Sequence, residues 1–166
     1  GGKTLHIATL MRNKGRVIAM DVSEAKLQEL KRRHRRQGID IIQTRHIVHQ
    51  KDIHRLSDGA DRVLLDVPCS GSGVIRRNPD TKWKLTQEKI EILIQEQREI
   101  LSRYSRMVKP GGKLIYATCS IFPAENQENV AFFLQQNPGF TLETELILTP
   151  AANKTDGFYM ARLIRQ

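Results

Sequence analysis

The chain holds two cysteines, Cys69 in VLLDVPCSGSG (63–73) and Cys119 in LIYATCSIFPAEN (114–126), fifty positions apart. Each directly follows an apolar, strand-like run. A thiolate is a strong nucleophile, even though a free thiol ionises only near a pKa of about 8.5. A single cysteine is most often an inert core residue. Two at strand ends, one of them beside an acid, argue for chemistry instead. In Asp66-Val67-Pro68-Cys69 the proline fixes the backbone after the strand, so acid and thiol are presented from one rigid turn.

Other strand ends add acids. Asp21 closes the run RVIAMD and precedes a helix. A carboxylate there either accepts both hydroxyls of a ribose or merely caps the helix, and the residues alone leave both open. Asp52 is placed at the end of a strand-like stretch, where an Asp is also a common turn residue. Gly2-Lys3-Thr4 before a helix resembles the tail of a phosphate-binding loop, with RVLLD supplying an acid for Mg²⁺. A P-loop NTPase is therefore the main alternative, but it leaves both cysteines unused. His46, His49 and His54 have no nearby cysteine and no usual zinc spacing, so no metal is expected. KRRHRRQ (31–37) reads as the solvated, dipole-favoured end of a helix, with general phosphate attraction as the alternative.

Positioning these groups takes an alternation of elements. A short helix is expected from Thr4 to about Arg12, then a buried strand over 16–21. A second helix starts at Ser23 as N-cap, carries Leu27 and Leu30 on one face, and stops at Gly38. A strand near Ile41-Ile42, with a second one nearby, ends around Asp52. ADRVLLDVP is a continuous apolar strand of the kind found in a parallel sheet covered on both faces. A loop rich in Gly, Arg and Pro runs from Pro68 to about Thr86. A long helix from about Gln87 to Met107 carries Ile90, Leu93, Ile94, Ile100 and Leu101 as its stripe. Pro110-Gly111-Gly112 is a turn, KLIYATC a buried strand and PAENQENVAFFLQQN a helix. FTLETELIL and GFYMARLIR form an antiparallel pair. The pattern is that of an α/β, doubly wound Rossmann-like sheet, mostly parallel with an antiparallel C-terminal pair, in one domain over 1–166. Such sheets bind ligands beyond the carboxyl ends of their strands.

A net charge of +9 favours a polyanionic partner. Two cysteines make no disulfide framework, so a reducing, cytoplasmic setting is expected. No apolar stretch is long enough to span a bilayer, and no membrane partner is expected.

GGKTLH, DVPCSGSGVIRRNPDTKW, PGGKLIYATCSIFPAEN and DGFYMARL together resemble the RNA cytosine-C5 methyltransferases of the ribosomal-RNA methyltransferase B, nucleolar p120 and Sun-domain group. The resemblance runs through nearly the whole chain, and the Pro-Cys-Ser and Thr-Cys-Ser pair is its most specific part. It implies a class I methyltransferase sheet, S-adenosylmethionine as cofactor, and methyl transfer to C5 of a cytidine in RNA. It implies Cys119 as the nucleophile that adds to C6, Cys69 as the thiol that assists release, Asp66 at N3 of the base, and Lys3 near the reacting groups. It further implies Gly1, Gly2 and Lys3 beside the methionine part of the cofactor, Asp21 at its ribose hydroxyls and Asp52 at its adenine edge, with Asp66 also in the cofactor site. Arg76, Arg77 and Lys82 would meet RNA, whose phosphates dominate affinity. The target would be an unstacked or single-stranded cytidine, in ribosomal RNA first and transfer RNA as the alternative.

Members of that group carry a strand and an Ala-rich, Pro-containing turn before Gly-Gly-Lys. Their absence here gives a further expectation, a catalytic domain incomplete at its N-terminus with two open strand edges. An upstream segment or a second chain would supply the missing strand, and residues 1–166 alone would bind cofactor poorly. A non-catalytic RNA-binding relative is the third reading.

Overall fold

Leu5 and Ala8, one turn apart on helix α1 (Gly2–Leu10), pack with Leu30, Ile39 and Ile42 into a small core. The computed structural model describes residues 1–166, the side chain of Gln50 excepted. The chain forms two compact units, Gly1–Ile53 and His54–Gln166.

In the first unit, α1 is followed by strand β1 (Val17–Asp21), helix α2 (Glu24–Arg36), strand β2 (Ile42–His46) and the short helix α3 (Gln50–His54). The two strands pair in parallel, from Val17 with Ile42 to Asp21 with His46. Helix α2 starts and stops where the sequence places its signals. The Ser23 hydroxyl accepts from the Lys26 N–H, Glu24 sits in the first turn, and four basic residues fill the last. Both charge placements suit the helix dipole. One expectation fails here. No second strand runs to Asp52; the chain turns into α3 instead, and Asp52 lies in its first turn.

The second unit holds β3 (Ala60–Asp66), α4 (Thr81–Lys84), α5 (Gln87–Tyr104), β4 (Val108–Thr118), α6 (Gln127–Gln136), β5 (Phe140–Leu148), α7 (Pro150–Asn153) and β6 (Phe158–Arg165). Its strand order is β3-β4-β6-β5, with β3 and β4 parallel and β6 antiparallel to both its neighbours. The expected parallel strands with a C-terminal antiparallel pair are thus present. Strand β4 is central. Leu114 and Tyr116 are fully buried on it, and Leu114 faces Leu163 of β6 directly. Burying each such leucine stabilises the fold by about 1.5–3 kcal/mol. Tyr116 and Tyr159 meet edge to face at 6.3 Å.

Strand β3 departs from the expected two-sided burial. Val63 and Leu65 are buried, whereas Arg62, Leu64 and Asp66 are exposed, because this strand is covered on one face only. Among the described residues β3 pairs only with β4, and β1 only with β2, so each leaves an open edge. Pro110-Gly111-Gly112 is not a separate turn but a bulge inside β4. The register passes from Ala60–Val108 directly to Arg62–Lys113, and Gly111 takes a positive φ of 75° to make it. The expected loop after Pro68 contains a 3₁₀ turn at Ser72–Val74 and α4. Helix α5 ends at Tyr104 and tightens into a 3₁₀ turn at Ser105–Met107, while Pro123–Glu125 forms another before α6. No helix among the described residues is long and apolar enough to cross a membrane.

Candidate active site

The parallel pairing of β3 and β4 sets Asp66 beside Ala117, so the two strands end together. The ladder continues one step beyond, from the Val67 N–H to the Ala117 carbonyl. Cys69 and Cys119 follow these ends, and their sulfur atoms lie 3.3 Å apart in a hydrogen bond. Both are half-buried free thiols. The Cys69 thiol is pushed well above the usual range, first by its hydrogen bond to Cys119 and then by burial, with a backbone N–H at Gly71 opposing. The Cys69 thiol therefore resists ionisation, and either sulfur can be the donor in the pair.

The two cysteine turns are stitched together. The Gly73 N–H donates to the Cys119 carbonyl at 2.9 Å, and the Gly157 N–H donates to the Gly73 carbonyl at 2.8 Å. A Cβ on Gly73 would stand 2.3 Å from the Gly157 carbonyl oxygen and 2.8 Å from that of Cys119, so only glycine fits. Beneath the turns lies a buried polar cluster that sequence reading missed. Glu125 is fully buried and accepts from the Ser70 N–H and hydroxyl, the Ser120 hydroxyl and the Gln97 amide. The same Gln97 amide donates to the Pro68 carbonyl at 2.8 Å, and its oxygen accepts from Asn129 at 2.7 Å. The Tyr116 hydroxyl donates to the Glu125 carbonyl at 2.6 Å. The visible signal was Gln97 itself, an amide set between Leu93 and Leu101 on the apolar stripe of α5.

The remaining acids divide between the units. Asp66 is exposed on the last position of β3. In the first unit, Asp21 ends β1 as expected, and one of its oxygens accepts from the Ser23 N–H at 2.8 Å. Its other oxygen is 4.0 Å from the Lys26 ammonium. Asp52 was expected at a strand end; it instead accepts from the Val48 and His49 N–H groups at 3.0 and 2.9 Å, fixing the start of α3. Gly1 precedes α1 without a side-chain cap, and Gly2 and Lys3 form its first turn. Backbone N–H groups at such a helix start, with a carboxylate at a neighbouring strand end, are donor and acceptor types that suit a nucleoside-bearing cofactor.

After Cys69 the chain is basic and partly apolar. Arg76 is exposed and helps to line a cleft of about 390 Å³ with Ser72, Gly73, Ile75, Pro150, Lys154, Thr155 and Asp156. Arg77 is ion-paired with Asp156. Lys82 sits 5.2 Å over the ring of Trp83, which is 81% exposed. The sequence reading passed over this open tryptophan in a basic stretch. Among the described residues no group of three His, Cys, Asp or Glu side chains is placed to hold a metal.

The description "16S rRNA methyltransferase RsmB/F" matches residues 1–164. The chain belongs to the RsmB/F family. A relative, ribosomal RNA small subunit methyltransferase B of Yersinia pseudotuberculosis serotype O:1b (strain IP 31758), is 39% identical over 185 residues, covering all of this chain and 40% of its own length. The solved structure of NSun6 from Pyrococcus horikoshii with SFG is 30% identical with a TM-score of 0.88, over 99% of this chain and 45% of that one. A methyltransferase homolog protein from the same organism is 28% identical with a TM-score of 0.84, over 100% and 58% respectively. The Rossmann-like methyltransferase fold comes with this membership, and the P-loop alternative falls. The chain spans about 40% of the length of the curated relatives it matches.

Proposed function

We propose that the protein containing this chain transfers a methyl group to C5 of a cytidine in ribosomal RNA through a covalent bond between Cys119 and C6 of the base. The observation that carries this reading is the pair of thiols in hydrogen-bond contact at adjoining strand ends, one of which holds its proton. The ring carbon C5 is a poor nucleophile at rest. When the Cys119 thiolate adds to C6, the electron pair of the C5–C6 double bond is released toward N3, which Asp66 supports. C5 then carries the enamine character that lets it accept a methyl group, which bound S-adenosylmethionine supplies. Removal of the C5 proton restores the double bond and expels Cys119 as thiolate. Cys69, as the protonated neighbour, assists that release.

The same reading gives Gly1, Gly2, Lys3, Asp21 and Asp52 to the cofactor. It also assigns Asp66 to both base and cofactor, and Lys3 to the catalytic set. Asp21 fits its share, because a strand-end carboxylate with one oxygen held by a backbone N–H is oriented to receive ribose hydroxyls. Arg76 and Lys82 meet RNA phosphates, Trp83 stacks on a base, and Arg77 contributes less because Asp156 already engages it. An open strand edge such as that of β3 suits pairing with a further extended segment, from elsewhere in the protein or from a second chain. The cytoplasm, where thiols stay reduced, is the setting.

The test is a denaturing gel of Cys69→Ala protein with ribosomal RNA and S-adenosylmethionine, run for residues 1–166 and for the longer protein. A slow protein–RNA band that vanishes with an added Cys119→Ala change is expected. Its absence from both samples would sink the covalent reading.

A further inference from the structure

Each cysteine is followed by a serine, and both serines point at the same buried carboxylate. Glu125 is 0% exposed, Ser120 1% and Ser70 6%. One oxygen of Glu125 accepts from the Ser70 N–H at 2.8 Å and the Gln97 amide at 2.9 Å. The other accepts from the Ser70 hydroxyl at 2.5 Å and from the Ser120 hydroxyl. Four donors thus fill the two oxygens, and all four are neutral groups. The arrangement is cross-braced, because the Ser72 hydroxyl lies 3.0 Å from that of Ser120 and accepts from the Ile121 N–H at 3.0 Å.

We propose that Glu125 is the positioning residue that holds Cys69 and Cys119 in contact, by anchoring the serine after each to one carboxylate. Ser70 belongs to the turn after β3 and Ser120 to the turn after β4. The strands themselves fix only where the two turns begin. The distance between the sulfurs depends on how each turn is held beyond its strand, and the carboxylate is the point at which both are held. A carboxylate is costly to bury without a cation, and only an acceptor at both ends satisfies donors at both ends. An amide in its place would present an NH₂ to the two serine hydroxyls, which would have to turn from donating to accepting. Glu125→Gln therefore reverses both serine bonds. The functional weight of the role rests on the reading of these cysteines as the working thiols, whereas the geometry itself does not.

The experiment measures how readily the two thiols find each other. In a glutathione redox buffer, Cys69 and Cys119 lose two electrons and two protons to oxidised glutathione, which becomes two reduced glutathiones. The ratio of disulfide to dithiol protein gives their effective concentration. With the chain folded by circular dichroism, Glu125→Gln is expected to lower that concentration at least tenfold. Ser70→Ala and Ser120→Ala are each expected to lower it several-fold, and to add little once Glu125→Gln is present. In the longer, active protein the same changes lower kcat and leave KM for RNA within about twofold. A folded Glu125→Gln protein with unchanged effective concentration overturns the proposal. Should Glu125→Gln fail to fold, unchanged values in both serine variants overturn it instead. A loss of thiol contact in variants of a protein whose Cys69→Ala form makes no RNA adduct would leave the positioning role standing and remove the methyltransfer reading. An adduct with unaltered thiol contact in Glu125→Gln would do the reverse.

Discussion

Asp66 of β3 lies opposite Ala117 of β4 in a parallel register, so the two cysteine-bearing turns begin side by side. Cys69 comes three residues beyond the first and Cys119 two beyond the second. A slip of one residue would turn each side chain to the other face of the sheet. The register thus starts both turns from one place, and beyond it the two thiols meet in a hydrogen bond.

Thiol reactivity is the direct consequence. The largest influence raising the Cys69 thiol is its hydrogen bond to Cys119, so removing that partner lowers it toward the ordinary range. The thiolate is the reacting form. Iodoacetamide at pH 8 should therefore label Cys69 slowly in the unmodified protein, and at least several-fold faster in Cys119→Ala. Peptide mapping by mass spectrometry reads both rates. Equal or slower labelling in the variant would show that burial, not the thiol pair, sets the reactivity of Cys69.

Gly73 supplies a steric prediction. A methyl group there meets two backbone carbonyl oxygens, which cannot rotate aside as a side chain would. Gly73→Ala should cost about 2–3 kcal/mol, in line with overpacked sites, and lower Tm by roughly 2–4 °C for each kcal/mol. Gly139→Ala is the control, since nothing lies within 4 Å of its added carbon. Thermal melts of both variants decide the point, and equal Tm values would mean that the two turns are not tightly joined.

Much of this was legible in the residues. The ends of β1 and β3, the N-cap at Ser23 and the closing antiparallel pair are local signals, and they fall where periodicity and capping place them. Cys69 and Cys119 stood out because cysteine is scarce and both follow apolar runs. Asp52 was misplaced because polar residues such as Gln43, Arg45, His46, His49 and Gln50 blur the end of a strand, so a short helix hid within the stretch. Leu64 looked like core because an apolar run does not reveal which face is covered. The contacts of Glu125 and Gln97 were invisible for another reason, although Gln97 on an apolar stripe marked that something polar lay there. Their partners are 55 and 28–29 positions away, and sequence order carries no mark of a hydrogen bond across that span.

Alkaline pH should destabilise the second unit. Tyr116 and Tyr159 are both raised above the ordinary tyrosine range, chiefly by burial, and Cys69 is raised as well. The folded state therefore keeps protons that the unfolded chain gives up above its own values of about 8.5 for cysteine and 10 for tyrosine. The stability these groups provide is complete below those values and is lost as pH rises beyond them. Each group steepens the decline by up to about 1.4 kcal/mol per pH unit. Urea unfolding at pH 8, 10 and 11 should show the fall, with a shallower slope in Tyr159→Phe. A flat profile would mean that these hydroxyls ionise as freely in the folded chain as outside it.

The proposed RNA contact gives a different expectation for each residue of the basic loop. An exposed aromatic ring stacks on an unpaired base, and such stacking is worth about 1–3 kcal/mol by alanine substitution. Trp83→Ala should then weaken binding of single-stranded RNA by roughly tenfold while the dependence on salt stays the same. Arg76 is exposed beside the cleft, and its loss should reduce the slope of log K against log salt by about 1, as expected for one phosphate contact. Arg77 already has Asp156 as its partner, so Arg77→Ala should change the slope less. Fluorescence anisotropy of a labelled oligoribonucleotide at several salt concentrations measures all three. A larger loss from Arg77→Ala than from Arg76→Ala would mean that RNA displaces Asp156 and takes the guanidinium for itself.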